Sequence, residues 1–216
     1  MRDGFGVGLI VGWAGGALRS TFAAAACVLL AVPGARADDP KDASAVVERF
    51  QAALIGVMKE ADRLGYDGRY RRLDPAVRES HDLARISEIA AGKHWRTLDS
   101  GQRTRLVDTF SRWTVATYAL RFDSHAGQTF RVESAEADSR GDVLVRSVML
   151  RPKDPPIRFD YVLRRRDGSW RIVNIIVDGV SDLAIRRAEF ASVLSREGFD
   201  ALIAELEAKI ADYRRP

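Results

Sequence analysis

Apolar residues repeat at two different spacings along the chain, and the spacing changes near residue 128. Before that point they recur every three or four positions, which is typical of amphipathic helices. These stripes predict helices over 41–64 and around 83–91, and a long helix within 97–125. The 65–82 segment contains two glycines, one proline and no long apolar run, so we expect short helical turns and loops there.

The long helix carries its own start signal. Asp99 precedes Gln102 by three positions, the spacing of a capping box in which each side chain accepts a hydrogen bond from the other residue's backbone N–H. The face of this helix that is predicted to be buried carries Leu106, Phe110, Trp113, Thr117 and Leu120.

Beyond residue 128 the apolar positions alternate with polar ones, as in half-buried strands. Four segments show this pattern, and turn-forming pairs, Gly141-Asp142, Pro155-Pro156 and Asp167-Gly168, separate them, so consecutive antiparallel strands are the simplest arrangement: 128–137, 142–151, 156–166 and 169–179. One face of the two central strands is predicted to carry Val143, Val145, Ser147 and Met149, with Ile157, Phe159, Tyr161 and Leu163 beside them. The opposite face, with Arg146, Arg158, Asp160 and Arg164, is expected to meet water.

A strand and a helix meet closely in the 170–190 segment. The run of Val and Ile over 172–177 predicts a strand buried on both faces. Gly179 tolerates the backbone angles of a sharp corner, and Ser181 can cap a helix that begins there. Helices over 181–197 and 199–213 then close the chain. Helices gathered on one face of an antiparallel sheet predict an α+β fold.

The N-terminal segment has the features of an export signal. Residues 20–37 form an apolar stretch that ends in Ala35-Arg36-Ala37, a small-x-small cleavage site. We therefore predict a signal peptide over 1–37 and a single domain over 38–216. An earlier apolar stretch over 4–18 makes the leader unusually long, which leaves open a downstream start or an uncleaved anchor. Its 15 residues fall short of the ~20 that span a bilayer.

Charge and cysteine content exclude several classes of function. Removal of residues 1–37 lowers the net charge from +4 to +2, and the charges are mixed in sign, so no nucleic-acid partner is indicated. The only cysteine, Cys27, lies in the leader. Thiol redox catalysis and a cysteine zinc site are therefore excluded for the mature chain. Short arginine clusters occur that are either solvated faces or docking sites for acidic partners or anionic lipid: 69–72, 164–166, 186–187 and 214–215.

No catalytic or metal-binding motif is present. His81, His94 and His125 do not have the spacing of metal ligands, and neither a nucleophile elbow nor a phosphate or dinucleotide loop occurs, so no metal or cofactor is predicted. The best candidate for acid–base chemistry combines Asp160 and Tyr161 with His125. Strand alternation, however, places Asp160 and Tyr161 on opposite faces of the sheet.

Several motifs resemble the MlaC-type periplasmic lipid carriers, also called the toluene-tolerance auxiliary family, over about residues 46 to 206. They are Trp95, Leu98, Gln102 and Arg103; GQTF (127–130); PPIRFDY (155–161); Trp170 with Asp178 to Ser181; and REGFDALIAEL (196–206). The stretch GVSDLAIRRAEF is most similar to the hopanoid-associated HpnM branch. One departure is Asn174, where the family pattern usually has an aspartate.

The resemblance implies a nuclear-transport-factor-like fold in which a curved antiparallel sheet and packed helices enclose an apolar cavity. It also implies a monomeric, non-enzymatic periplasmic carrier of phospholipid or hopanoid. The implied partners are an inner-membrane ABC lipid transporter and an outer-membrane lipoprotein complex. Two other functions stay open: a pocket enzyme of the same fold that acts on a hydrophobic substrate, and an interaction module whose sheet face is plain core.

Combining this fold with the alternation of the strands gives a set of expected lipid contacts. The aromatic members of the set could equally fill a core or line a cavity. The set is Leu54, Val57, Phe110, Trp113, Phe130, Val143, Val145, Ser147, Met149, Phe159, Tyr161 and Ile172.

The leader yields the first testable prediction. Exported protein should begin at Asp38, because signal peptidase cuts after small-x-small motifs such as Ala35-Arg36-Ala37. N-terminal sequencing of material from the periplasm measures this. Retention of Met1 or of residues 4–18 would instead indicate a membrane-tethered protein.

Overall fold

The computed structural model describes residues 40–215, so the predicted signal peptide lies outside the described residues. The described chain forms six α-helices, one 3₁₀ helix and one sheet, which confirms the α+β prediction. The helices are α1 (Pro40–Lys59), α2 (Ala61–Ser80), α3 (Leu83–Ala91), the 3₁₀ helix (Gly92–Thr97), α4 (Ser100–Arg121), α5 (Asp182–Arg196) and α6 (Phe199–Tyr213). The strands are β1 (Thr129–Ala137), β2 (Val143–Leu150), β3 (Ile157–Arg166), β4 (Ser169–Val177) and β5 (Val180–Ser181).

The five strands follow one another in the sheet in chain order, and every neighbouring pair is antiparallel. Val145 lies opposite Tyr161 and Ser147 lies opposite Phe159, so the predicted apolar face of β2 and β3 is confirmed. Helix α1 packs against β1, β2 and β4, while α4 packs against α2 and α6.

Two β-bulges bend the sheet and change which residues share a face. The register shifts at Glu133 in β1 and at Val173 in β4. A bulge adds one residue to one strand and therefore reverses the alternation beyond it. Because of the second bulge, Ile172 before it and Ile175 after it both lie on the apolar face, opposite Leu163 and Tyr161.

This bulge corrects the expectation that 172–177 is buried on both faces. Ile172 and Val173 are buried, but Ile175, Ile176 and Val177 are only partly buried. Ile176 lies opposite Asp160, on the charged face. The largely apolar run over 172–177 therefore reflects a change of alternation within one strand, and only part of it reflects burial on two sides.

Apart from a kink at Gly65, the 65–82 segment is one continuous helix as far as Ser80, so the expectation of short helical turns and loops was wrong. Gly65 breaks the helical geometry at a single residue, with φ of 57° and ψ of −177°, and the helix continues beyond it to Ser80. Pro75 lies on the exposed side of α2, while Leu73 and Val77, four residues apart, are fully buried. The Nε atom of Arg69 also donates to the Ala119 carbonyl of α4 at 2.8 Å. These tertiary contacts stabilise a helix that its own glycines and proline would weaken.

The helix predicted over 41–64 is interrupted at Glu60, since α1 ends at Lys59 and α2 begins at Ala61, and the other helix predictions hold except at Leu120. The capping box of α4 is present, with Asp99 accepting from the Gln102 N–H and Gln102 accepting from the Asp99 N–H. Leu120, predicted on the buried face, is 39% exposed, because Ala119 and the following Phe122 form the buried side at the end of α4 instead. None of the helices within residues 40–215 has the combined length and apolarity needed to cross a bilayer.

The capping box makes a stability prediction. Replacement of Asp99 by Ala should lower the free energy of unfolding by about 1 kcal/mol, because the Gln102 N–H in the first turn loses its acceptor. Urea denaturation measures the change. The neighbouring exposed Ser100→Ala is the matched control and should stay within about 0.5 kcal/mol of wild type. An equal effect of both substitutions would contradict the capping role.

Candidate functional site

A cavity of about 340 Å³ lies between the apolar face of the sheet and the helices that cover it. Its volume is at the lower end of the range of small-molecule sites, which is about 300–1,000 Å³. The cavity is partly open, and its wall is mainly apolar. Strands β3 and β4 form one side, and α1, α4 and the first two turns of α5 form the other.

Six of the twelve residues expected to contact lipid line this cavity. They are Leu54, Phe110, Met149, Phe159, Tyr161 and Ile172. These residues come from five separate elements, α1, α4, β2, β3 and β4, and the fold brings them together around one cavity. Their role in binding stays a prediction.

The other six lie outside the lining: Val57, Trp113, Phe130, Val143, Val145 and Ser147. Val143 and Val145 share the apolar face but are fully buried, in the part of the sheet that is packed as core. The Ser147 hydroxyl donates to the Phe159 carbonyl at 2.8 Å. Alternation identifies the face of a strand, but it does not show where along the strand the covering helices end.

Sequence reasoning missed a set of polar side chains in the cavity wall. They come from α4, α5 and the residue that follows α2: His81, Thr114, Thr117, Tyr118, Asp182 and Arg186. The sequence could have indicated three of them, because Thr114, Thr117 and Tyr118 follow Phe110 at helical steps that keep them on one side of α4. Thr117 lies on the predicted buried face of α4, but the emphasis on apolar positions leaves all three out of the expected lipid contacts.

Tyr161 belongs to a satisfied polar cluster at the boundary between core and cavity. The Gln51 side-chain amide donates to the Tyr161 hydroxyl at 3.4 Å and to the Ser147 hydroxyl at 2.8 Å. Burial raises the pKa of Tyr161 above its usual value. The hydroxyl therefore stays protonated at neutral pH and is unsuited to act as a base.

His81 is a buried, neutral histidine. Its Nε2 atom is 3.1 Å from the Tyr118 hydroxyl, and its Nδ1 atom is 2.9 Å from the Ser80 hydroxyl. Burial lowers the pKa of His81 to about 4 and raises the pKa of Tyr118 well above its usual value. Neither side chain carries a charge at pH 7.

The candidate acid–base set does not assemble. Tyr161 lines the cavity, while Asp160 lies on the opposite face, across from Arg146. His125 lies in the connection between α4 and β1, outside the cavity wall, with its Nε2 atom 3.1 Å from the Gln128 carbonyl. The three side chains therefore do not share a site.

Comparison with known proteins identifies the family. A model of the MlaC protein family matches residues 48–208. The chain belongs to the MlaC family. It is also 27% identical over 136 residues to the toluene tolerance protein ttg2D of Pseudomonas putida, with 62% of this chain and 61% of that relative covered. The match thus spans less than two thirds of the relative's length.

A solved structure shares the fold. The phospholipid-binding protein of Ralstonia solanacearum, solved in complex with a phospholipid, superposes with a TM-score of 0.70 at 23% identity. The match covers 83% of this chain and all of that one. The expected MlaC-type fold is therefore confirmed, and the closeness to the HpnM branch stays a prediction.

Asn174, where the family resemblance led us to expect an aspartate, has a structural role in this MlaC-family chain. Its Oδ1 atom accepts a hydrogen bond from the Ser181 hydroxyl at 3.1 Å and from the Leu183 N–H at 3.2 Å. Ser181 in turn accepts from the Ala184 N–H, as expected for the cap of α5. An amide oxygen at this position joins β4 to α5, a contact for which an aspartate oxygen would also serve as acceptor.

The buried histidine predicts a pH dependence of stability. The unfolded chain binds a proton at His81 near pH 6.5, whereas the folded chain does so only near pH 4. The unfolded state therefore binds more protons between these values, and stability falls as the pH falls through this window, by roughly 3 kcal/mol in total. Urea unfolding of wild type and His81→Gln at several pH values isolates this contribution.

His81→Gln should show a flatter dependence than wild type between pH 6.5 and 4. His94→Gln, which removes the partly exposed histidine beside Ser195, is the control and should follow wild type. Identical slopes for wild type and His81→Gln would exclude a buried neutral His81.

Proposed function

We propose that this protein is a periplasmic lipid carrier that binds the acyl part of a phospholipid, or a hopanoid, in the cavity. The observation that carries the proposal is the partly open, mainly apolar cavity between the bulged sheet and the helices. In this proposal the chain is exported after cleavage of residues 1–37. It acts as the monomeric soluble component of an ABC-type transport system, between an outer-membrane lipoprotein complex and an inner-membrane transporter.

The hydrophobic effect explains why such a carrier needs a cavity of this kind. Exposure of a chain of about 16 carbons to water costs roughly 12 kcal/mol, at ~0.8 kcal/mol per methylene. A lipid therefore crosses an aqueous compartment only when a protein covers its apolar part. Side chains such as Met149, Phe159 and Ile175 supply that cover here.

The mouth of the cavity suits a polar headgroup. Arg121, in the last turn of α4, lines the cavity and is exposed to water. Arg151 also lines it, and its guanidinium donates to the Pro155 carbonyl. Both arginines are positively charged, so they favour an anionic group such as a phosphate at the entrance over a cationic group.

Phospholipid ranks ahead of hopanoid as cargo. The Ralstonia solanacearum protein of the same fold was solved with a phospholipid, and this supports the same ligand class here. The hopanoid proposal depends on the GVSDLAIRRAEF stretch alone. The rival enzyme function lacks support from the geometry, because Asp160, Tyr161 and His125 lie apart.

A matched pair of tryptophan substitutions tests the carrier function. Thr117 lines the cavity, so the ring of Thr117→Trp should enter the space of the lipid and abolish co-purification with little change in melting temperature. Val145 is fully buried away from the cavity, so Val145→Trp should overpack the core and cost ~1–3 kcal/mol. Native mass spectrometry measures bound lipid, and thermal unfolding measures stability.

The wild-type protein supplies the decisive control. It should carry about one lipid per chain when purified natively, since the cavity of about 340 Å³ is at the lower end of the range for small ligands. Wild-type protein that holds no lipid and takes none from vesicles would reject the carrier function in favour of an interaction module with a plain core.

A further inference from the structure

The wall of the apolar cavity contains a buried cation. Arg186 is only 7% exposed, yet it lines the cavity from the second turn of α5. Burial of a guanidinium costs free energy unless its N–H groups are hydrogen-bonded. A leucine or methionine at this position would complete an apolar wall without that cost. The presence of an arginine therefore requires a physical explanation.

One contact fixes the position of this side chain and another covers one side of it. The Nε atom of Arg186 donates to Asp182 Oδ2 at 2.5 Å, and the guanidinium carbon lies 4.1 Å from the centre of the Trp113 ring. Trp113 itself does not line the cavity, so the guanidinium forms the wall in front of it. The arginine is thus held in place independently of any ligand.

The two terminal nitrogens of Arg186 remain available. Within residues 40–215 the structure gives them no hydrogen-bond acceptor, although together they carry four N–H groups. Each of these is a charge-assisted donor, the stronger class of hydrogen bond. Arg186 lines the partly open cavity, so an oxygen atom of a bound molecule could reach these donors and accept from them.

The charge balance around Arg186 indicates which oxygen fits. Asp182, in direct contact, neutralises the arginine. His81 is uncharged because burial lowers its pKa to about 4, and Tyr118 is uncharged because burial raises its pKa. A second anion would meet the Asp182 carboxylate, whereas a neutral acceptor would meet no like charge.

We propose that the terminal nitrogens of Arg186 donate to an uncharged oxygen of the bound lipid inside the cavity, an ester carbonyl or a hydroxyl. The inference rests on the proposed lipid-carrier function and deepens it by naming the group that is recognised. A glycerolipid would supply the ester carbonyl, and a polycyclic alcohol would supply the hydroxyl. Arg186 then selects amphiphiles with such an oxygen over hydrocarbons and ethers of the same shape.

Two pairs of lipids test whether the oxygen that Arg186 recognises is an ester carbonyl or a hydroxyl. The first is a diester phosphatidylcholine and its diether analogue with the same chains, mixed in equal amounts in one vesicle. The second is cholesterol and its parent hydrocarbon cholestane, offered in the same way. The exported protein is incubated with each vesicle, and mass spectrometry of the recovered protein gives the ratio of the two lipids bound.

In at least one pair the wild-type protein should enrich the oxygen-bearing lipid about tenfold or more, the effect of one hydrogen bond to a charged donor. Arg186→Met keeps a long side chain over Trp113 but removes the donors, so its ratio should fall to about one. Arg187→Met removes the exposed neighbouring arginine, which does not line the cavity, and should keep the wild-type ratio. Circular dichroism checks that each variant is folded.

The outcomes distinguish this inference from the carrier proposal. Wild-type protein that binds lipid with ratios near one in both pairs overturns the role of Arg186 and leaves the carrier intact. Retention of the preference by Arg186→Met does the same. Absence of all lipid from wild type overturns both proposals. If Arg186→Met does not fold, Arg186→Lys, which keeps the charge beside Asp182 but loses the planar fork, is measured instead and should lose most of the preference.

Discussion

The structure depends on one constraint: the apolar face of a curved sheet has to be removed from water, and the helices cover only part of it with close packing. Val145 and Leu163 lie in the covered part and are fully buried. Phe159 and Ile175 lie on the same face, but they border the cavity and are only partly buried. A partly exposed apolar surface is unfavourable in water. The same feature that lowers the stability of the empty protein therefore creates affinity for an apolar ligand.

Partial coverage also determines how polar groups can be placed in the cavity wall. Each polar side chain there needs a partner, because the low dielectric of the interior raises the cost of an unpaired group. Tyr161 has Gln51, and His81 has Tyr118. Both pairs are neutral, so they add no charge to a space that is otherwise suited to hydrocarbon. Arg186 differs, because Asp182 balances its charge but leaves donors without acceptors.

The sequence predicted the elements more successfully than the site, and the reasons are physical. Periodicity reports the burial of one face, so it identified β1 to β4 and most of the buried face of α4, but not the two-residue strand β5. It failed over 65–82, where contacts such as Arg69 to the Ala119 carbonyl outweigh local propensity. It could not show that a bulge at Val173 brings Ile172 and Ile175 to one face. Nor could it separate Val145, in the packed core, from Phe159, at the cavity, because both alternate alike.

The corner between β4 and α5 connects these features. Asp178 and Gly179 have positive φ angles of 48° and 85°, so the chain reverses within a few residues. Asn174 on the strand then holds Ser181 and Leu183 at the start of the helix. Asp182 begins α5, and Arg186 follows it by four residues, on the same side of the helix. The short corner thus sets the position of Arg186, the only arginine that is buried within residues 40–215. Across the cavity from it lies β4, whose bulge shapes the opposite wall. A longer connection would leave α5 free to shift along the sheet, and the guanidinium would no longer be held in the cavity wall.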